Sequence, residues 1–209
     1  MRRWIAALLL ISVPIHAIPS NPSRVNLEES KSSVEFFAVG KPGFLKIHGE
    51  VPEDKKDGKP LRGELRIDEQ SLQGEARFRL NVLDTGIALR NRHMKEKYLE
   101  TTKWPDAEIV DIKIKLPVNS QDKEEISMEN LSFEGLLSLH GKKKPVIGKA
   151  SVNLSTNQLE LNCEFKIKVT DFGIELPSFM GVTVVDDVTV KISILSLIPR
   201  NAGANPLHS

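Results

Sequence analysis

Alternation of apolar and polar residues with a period of two organises this chain from Val34 to Ile194. It is cleanest in Leu159-Glu160-Leu161-Asn162-Cys163-Glu164-Phe165-Lys166-Ile167-Lys168-Val169, where every second side chain is apolar. Such a stretch reads as a strand with one face on a core and the other in water. Its length suits a tilted barrel strand better than a flat sandwich. Ala76-Arg77-Phe78-Arg79-Leu80-Asn81-Val82 repeats the pattern, and weaker versions occur at 34–38, 45–49, 64–67, 110–116, 131–137, 146–152 and 188–194. About nine strands are therefore expected. Turn or loop signals separate them at Lys41-Pro42-Gly43, Glu53 to Lys59, Asn119 to Glu125, Ser155-Thr156-Asn157 and Asp186-Asp187. Few connections have room for the crossover of a parallel pair, so the pairing should be antiparallel. The pattern predicts an all-β fold, a single antiparallel barrel of about eight or nine strands, because closure removes exposed edges.

From Ile87 the period changes. Leu89, Met94, Tyr98 and Leu99 fall along one side of a helix, while Arg90, Arg92, Lys95, Glu96, Lys97 and Glu100 stay in water. A short helix between two strands can close one end of a barrel. Pro105 should end it, since the residue before proline disfavours helical geometry. Asp84, Arg90 and His93 gather at this corner. A catalytic reading of them needs a nucleophile within reach of the base and a third group to orient it. Thr85 is the one nearby hydroxyl, and no G-x-S-x-G context exists. A structural corner is the favoured role, with an enzyme acting on a lipid through these mouth residues as the alternative. His48, His93 and His140 lie far apart without an H-x-H or H-E-x-x-H pairing, so no zinc site is expected. His48 and His140 alternate outward, and each precedes a glycine.

The inward face decides function. Its members include Phe36, Leu45, Ile47, Leu65, Phe78, Leu80, Ile112, Ile114, Phe133, Leu137, Phe165, Ile167, Val190 and Ile192, nearly all apolar. An open interior with such a lining suits a long alkyl or isoprenoid chain, because each buried methylene contributes about 0.8 kcal/mol. Phe36, Leu45, Ile47, Phe78, Leu80, Met94, Tyr98, Ile112, Phe133, Leu137, Phe165, Ile167, Val190 and Ile192 are the candidate ligand contacts. A solidly packed barrel that binds a protein partner gives the same alternation and stays open as an alternative. Small inward residues such as Gly49, Ala76, Gly135, Gly148 and Ala150 favour space inside.

Composition narrows the setting. Met1-Arg2-Arg3, the apolar run Trp4 to Val13 and Pro14-Ile15-His16-Ala17 form an export signal over residues 1–17. The run is about ten residues, short of the roughly 20 that a bilayer-spanning helix requires, so a cleaved peptide is expected rather than a stable membrane anchor. The destination is the periplasm or the medium. Acidic and basic residues nearly cancel, at a net charge of +1, and no basic block offers a footprint for nucleic acid. The one cysteine, Cys163, can make no internal disulfide and sits on the apolar face as a small buried hydrophobe. No metal or cofactor is expected beyond a bound lipid, and the tail 199–209 has little to bury.

Spaced elements of the sequence carry a family resemblance. Ser33-Val34-Glu35-Phe36, Gly43-Phe44-Leu45-Lys46-Ile47-His48-Gly49, Leu83-Asp84-Thr85-Gly86, Arg90-Asn91-Arg92-His93-Met94, Tyr98-Leu99 and Trp104-Pro105 resemble the YceI-like family of exported polyisoprenoid-binding proteins. Gly135 to Val146 resembles that family's second signature, and Asp171-Phe172-Gly173-Ile174 with Asp186-Asp187-Val188 its closing elements. The resemblance covers about residues 33–195, within a domain expected over 30–198. It implies a lipocalin-like barrel that holds a hydrophobic amphiphile, a polyisoprenoid chain such as that of a quinone or its precursor, for carriage or storage. It gives Asp84, Arg90 and His93 the task of orienting the strand-to-helix corner. The short Ala38 to Gly43 stretch departs from the family's histidine-containing continuation of the first strand.

Overall fold

The computed structural model describes residues 23–43, 45–51, 61–68, 70–117, 125–179 and 181–198. The expected export peptide, the polar run Glu53 to Lys59, most of the Asn119 to Glu125 loop and the tail from 199 lie outside the described residues. The strands are β1 (Ser23–Asn26), β2 (Lys31–Lys41), β3 (Leu45–Glu50), β4 (Leu61–Ile67), β5 (Ser71–Arg79), β6 (Asp106–Lys115), β7 (Glu125–Leu139), β8 (Lys142–Ser155), β9 (Gln158–Lys168), β10 (Ser178–Phe179), β11 (Val182–Val184) and β12 (Asp187–Leu197). One helix, α1 (Ala88–His93), stands between β5 and β6 and continues as a π-turn over Met94–Tyr98. All pairings are antiparallel and form one sheet, in the order β1-β4-β5-β6-β7-β8-β9-β12-β2-β11-β10, with β3 on β2.

Each stretch read from the alternation forms a strand, except that the one expected over Ala76–Val82 stops at Arg79 and Leu80–Val82 make a 3-10 turn. The additions are β1, β10 and β11, of four, two and three residues, too short for a period of two to mark them. The helix ends earlier than expected. Tyr98 is its last turn, and Glu100 adopts a left-handed backbone with φ 45°, so the stop lies at Glu100 and not at Pro105.

Curling this sheet requires bends, and the sequence places extra residues at them. Asp111 (φ 53°) and Asn130 (φ 56°) take left-handed backbone where the registers of β6 and β7 slip by one residue. An extra residue on one strand of a pair bends that strand and increases its twist. The two ends of the sheet meet through the chain itself. β1 lies on β4, a 3-10 turn at Leu27–Glu29 follows, and the same chain then becomes β2 on β12. Asn26 Oδ1 accepts from the Glu28 N–H at 3.0 Å and fixes that turn. A second tie joins the end of β3 to the segment after β5. The Glu50 N–H donates to the Asp84 carbonyl at 2.9 Å, and the Asp84 N–H returns to the Glu50 carbonyl at 2.8 Å.

The core occupies one half of this half-barrel. Val25, Leu27, Leu65, Leu72, Ile114, Phe133, Val152 and Leu159 are almost completely buried there. Two of the expected small inward residues are closed off by the neighbouring strand instead of leaving space. A Cβ on Gly49 would collide with the Phe36 ring, and one on Gly148 with the Glu164 carbonyl oxygen. Gly49 thus lets the Phe36 ring lie across its strand, and Gly148 lets the backbone of β9 approach closely.

Cys163 belongs to the same packed half, and burial pushes its thiol up to about 12. The thiolate is the reactive species. We therefore expect a thiol reagent at neutral pH to leave Cys163 unmodified in the folded protein and to label it fully once denaturant is added, as read by intact mass. Rapid labelling in the absence of denaturant would contradict this packing.

Candidate functional site

Above the packed half the inward side chains no longer meet, and a cavity of about 530 Å³ opens toward α1. Its walls come from β2, β3, β4, β5, β6, β7, β9 and β12 with Leu80, Leu83 and Thr85 after β5, and its rim from α1 and the β10–β11 hairpin. Volumes of roughly 300–1,000 Å³ are usual for sites that enclose a small organic molecule. The lining is almost entirely hydrocarbon. The polar exceptions are Thr85, Arg90, His93, Tyr98 and Ser178, on the corner, the helix and the hairpin at the mouth, and Glu35 on β2.

Twelve of the fourteen candidate ligand contacts face this cavity: Phe36, Leu45, Ile47, Phe78, Leu80, Met94, Tyr98, Leu137, Phe165, Ile167, Val190 and Ile192. Ile112 and Phe133 do not. Ile112 is 6% and Phe133 2% exposed, both inside the packed half, with the Phe133 ring stacked on Phe165 at 5.5 Å between centroids. Strand alternation distinguishes inside from outside but carries no information on height along the barrel, which is why these two were grouped with the rest. The sequence reading also passed over Ala107, Ile109, Leu139, Ile174, Pro177, Val182 and Val184. The apolar run Val182-Thr183-Val184-Val185 was the available signal for the hairpin.

The mouth exposes apolar surface. Leu45, Ile87 and Leu89 are 50%, 53% and 43% exposed, and all three line the opening. Among the described residues, no helix is long and apolar enough to cross a membrane.

The corner beneath α1 is a closed hydrogen-bond network. Asp84 Oδ1 accepts from the Gly86 N–H and from Asn91 Nδ2, each at 2.7 Å. Asn91 Oδ1 accepts from the Thr85 N–H at 2.8 Å and from Thr85 Oγ1 at 2.6 Å. Arg90 donates through Nε to Thr85 Oγ1 at 2.8 Å and through its terminal nitrogen to the Thr85 carbonyl at 2.5 Å. The Thr85 hydroxyl is thus occupied by two partners, a poor arrangement for a nucleophile that needs a free base beside it. His93 lines the cavity one turn further along. Asn91 is the residue that joins the network's halves, and the sequence reading gave it no role. Its amide supplies both the donor for Asp84 and the acceptor for Thr85, a pairing that neither a carboxylate nor an ammonium offers.

Two further ties brace the mouth. His140 lies in the two-residue turn between β7 and β8, where His140 and Gly141 have φ 50° and 74°, the left-handed pair that a tight hairpin needs. It does not point outward as alternation suggested. Its side chain is 13% exposed, with Nε2 2.7 Å from Glu100 Oε2 and Nδ1 3.2 Å from the Phe172 carbonyl. Asp186 accepts from the Thr170 N–H at 2.9 Å and from Thr170 Oγ1 at 2.7 Å, and these bonds, the backbone one first, hold its carboxyl below the usual carboxylate range. Since the folded-state value is the lower one, this stabilisation is present at neutral pH and fades as pH falls through that lowered value.

A curled antiparallel sheet, solid at one end and hollow at the other, with a helix across the hollow end, defines a cavity-bearing lipocalin-like barrel. The chain belongs to the YceI-like family, whose domain model matches residues 26–195. Solved structures share the fold at low sequence identity. A polyisoprenoid-binding domain from Saccharophagus degradans, implicated in plant cell wall breakdown, is 16% identical at a TM-score of 0.57, over 88% of this chain and 100% of that one. BcnA from Burkholderia cenocepacia is 17% identical at 0.58, over 82% and 98%. A YceI protein from Campylobacter jejuni is 15% identical at 0.52, over 76% and 89%. No curated protein sequence matches the chain.

Replacing Asn91 with Ala removes one of the donors to Asp84 and leaves the Thr85 N–H without its acceptor in a part-buried site, where an unsatisfied polar group costs about 1–3 kcal/mol. Denaturant melts should show that loss for Asn91→Ala. A variant as stable as the parent would remove Asn91 from the network.

Proposed function

We propose that this chain is an exported lipid-binding protein that holds a polyisoprenoid or similar long amphiphilic chain, such as a quinone or its precursor, for carriage or storage in the periplasm or medium. The observation that carries the reading is the cavity of about 530 Å³, lined almost wholly by hydrocarbon, with most of its few polar groups on the corner, helix and hairpin at the mouth. A chain inserted tail first meets Phe36, Phe78, Leu137 and Ile167 in the interior, and its polar head comes to rest beside Arg90, His93 and Tyr98. About ten buried methylenes give a gross 8 kcal/mol, from which association costs leave several. The S. degradans domain of the same fold, described as polyisoprenoid-binding, supports this class of ligand. The residues 1–17 support the compartment. With the Thr85 hydroxyl held by Asn91 and Arg90 and the Asp84 carboxylate by Asn91 and the Gly86 N–H, the corner favours binding over catalysis.

Protein isolated from its own host without detergent should release an isoprenoid lipid on denaturation, detected by mass spectrometry. Filling the cavity with Ala76→Phe should weaken a fluorescent isoprenoid by more than about tenfold, since overpacking a site costs about 1–3 kcal/mol, while circular dichroism stays unchanged. An absence of bound lipid together with undiminished fluorescence in the variant would defeat the proposal.

A further inference from the structure

The outer face of the β2–β3 pair carries a feature that lipid binding does not use. In the register of these strands Glu35 lies opposite Glu50, and Phe37 lies opposite His48. Residues two apart on a strand share a face. The four side chains therefore form one outward patch, with two carboxylates in one row and an imidazole and a phenyl ring in the next. Like charges directly opposite one another destabilise a strand pair. Here they are not neutralised from the other side. Lys191, opposite Glu35 on β12, is engaged with Glu164 at 3.2 Å and lies 5.4 Å from the centre of the Phe37 ring. His48 alone serves the pair, with Nε2 2.9 Å from Glu35 Oε2, and the Glu50 carboxylate makes no hydrogen bond or ion pair with any described residue.

We propose that Glu35, His48 and Glu50 form a binding site for a divalent transition-metal ion such as Zn²⁺. One ligand atom from each lies within 4.8 Å of the others. A tetrahedral zinc ion holds nitrogen and oxygen donors at about 2.0–2.2 Å, which sets donors about 3.3 Å apart, so small side-chain rotations bring all three into place and leave a position for water. The donor set is one imidazole and two carboxylates, a mixture that suits zinc, nickel or copper and distinguishes this patch from an acidic cluster that would take magnesium or calcium. The site is also pre-oriented. The His48 ring is stacked on Phe37 at 4.7 Å and 16° between planes, and all three ligands rise from paired strands, not from loops.

Sequence spacing could not show this site, because Glu35 is separated from His48 by a strand, a turn and part of another strand. The ion would fasten β3 to β2; among the described residues β3 is held on its far side by the Glu50–Asp84 pair alone. The inner faces of the same strands carry Phe36, Leu45 and Ile47 of the cavity wall. Metal would thus stiffen the wall beside the mouth from the outside, whatever the cavity contains.

Calorimetric titration of the full, tag-free chain with zinc chloride tests the proposal, alongside a melting curve with and without the ion. The expected result is saturable one-to-one binding and a raised melting temperature in the parent. Both His48→Ala and the near-isosteric Glu50→Gln should weaken binding by more than about tenfold, the loss that even an outer partner of a metal ligand can produce. Magnesium chloride should give no comparable response. No saturable binding, binding of equal strength in both variants, or an equal response to magnesium would overturn the assignment.

Discussion

The Phe165 ring, stacked on Phe133 at 5.5 Å, marks the level at which this barrel changes from solid to hollow. Phe133 lies wholly in the packed half, whereas Phe165 also forms part of the cavity lining. Below them leucines, isoleucines and valines from β1, β4, β5, β6, β7, β8 and β9 close on one another. Above them the same strands diverge, and the hairpin β10–β11 and helix α1 cover what remains. A sealed void of this size would cost on the order of 10 kcal/mol at about 24 cal/mol per Å³, which is comparable to the whole stability of a domain. Opening at the mouth reduces that cost, and an apolar occupant removes more of it. The packed half is what allows the other half to be hollow.

Holding the hollow open is a task for polar groups. The Asp84, Asn91, Thr85 and Arg90 network fixes the start of α1, and the Glu50–Asp84 backbone pair connects that corner to β3. His140, bonded to Glu100 and Phe172, connects the β7–β8 turn to the segment after α1 and to the turn after β9. Each of these ties joins elements distant in sequence around the cavity mouth. The polar groups of the corner are bonded to one another and to neighbouring backbone, and the lining they frame is almost all hydrocarbon.

Much of this was legible in the chain. Period-two alternation located nine strands and their antiparallel order of hairpins, and the change of period after Ile87 located the helix. The sequence distinguished inward from outward residues well, because that choice is made locally by the pleat. It did not distinguish the filled level from the empty one, as Ile112 and Phe133 show, because height along a barrel depends on how strands stagger against each other. It misjudged Gly49 and Gly148, since the absence of a side chain looks the same whether the space is open or taken by the Phe36 ring and the Glu164 backbone. Asn91 and the outward patch of Glu35, His48 and Glu50 depend on pairings between distant segments, which no local pattern records.

Xenon pressurised into crystals of the protein tests the central claim most directly, since the gas enters dry apolar cavities without needing a natural ligand. The account predicts xenon between Phe78, Leu137 and Ile167 and none among Ile112, Ile114 and Phe133. Xenon absent from the upper half, or present in the lower, would contradict it.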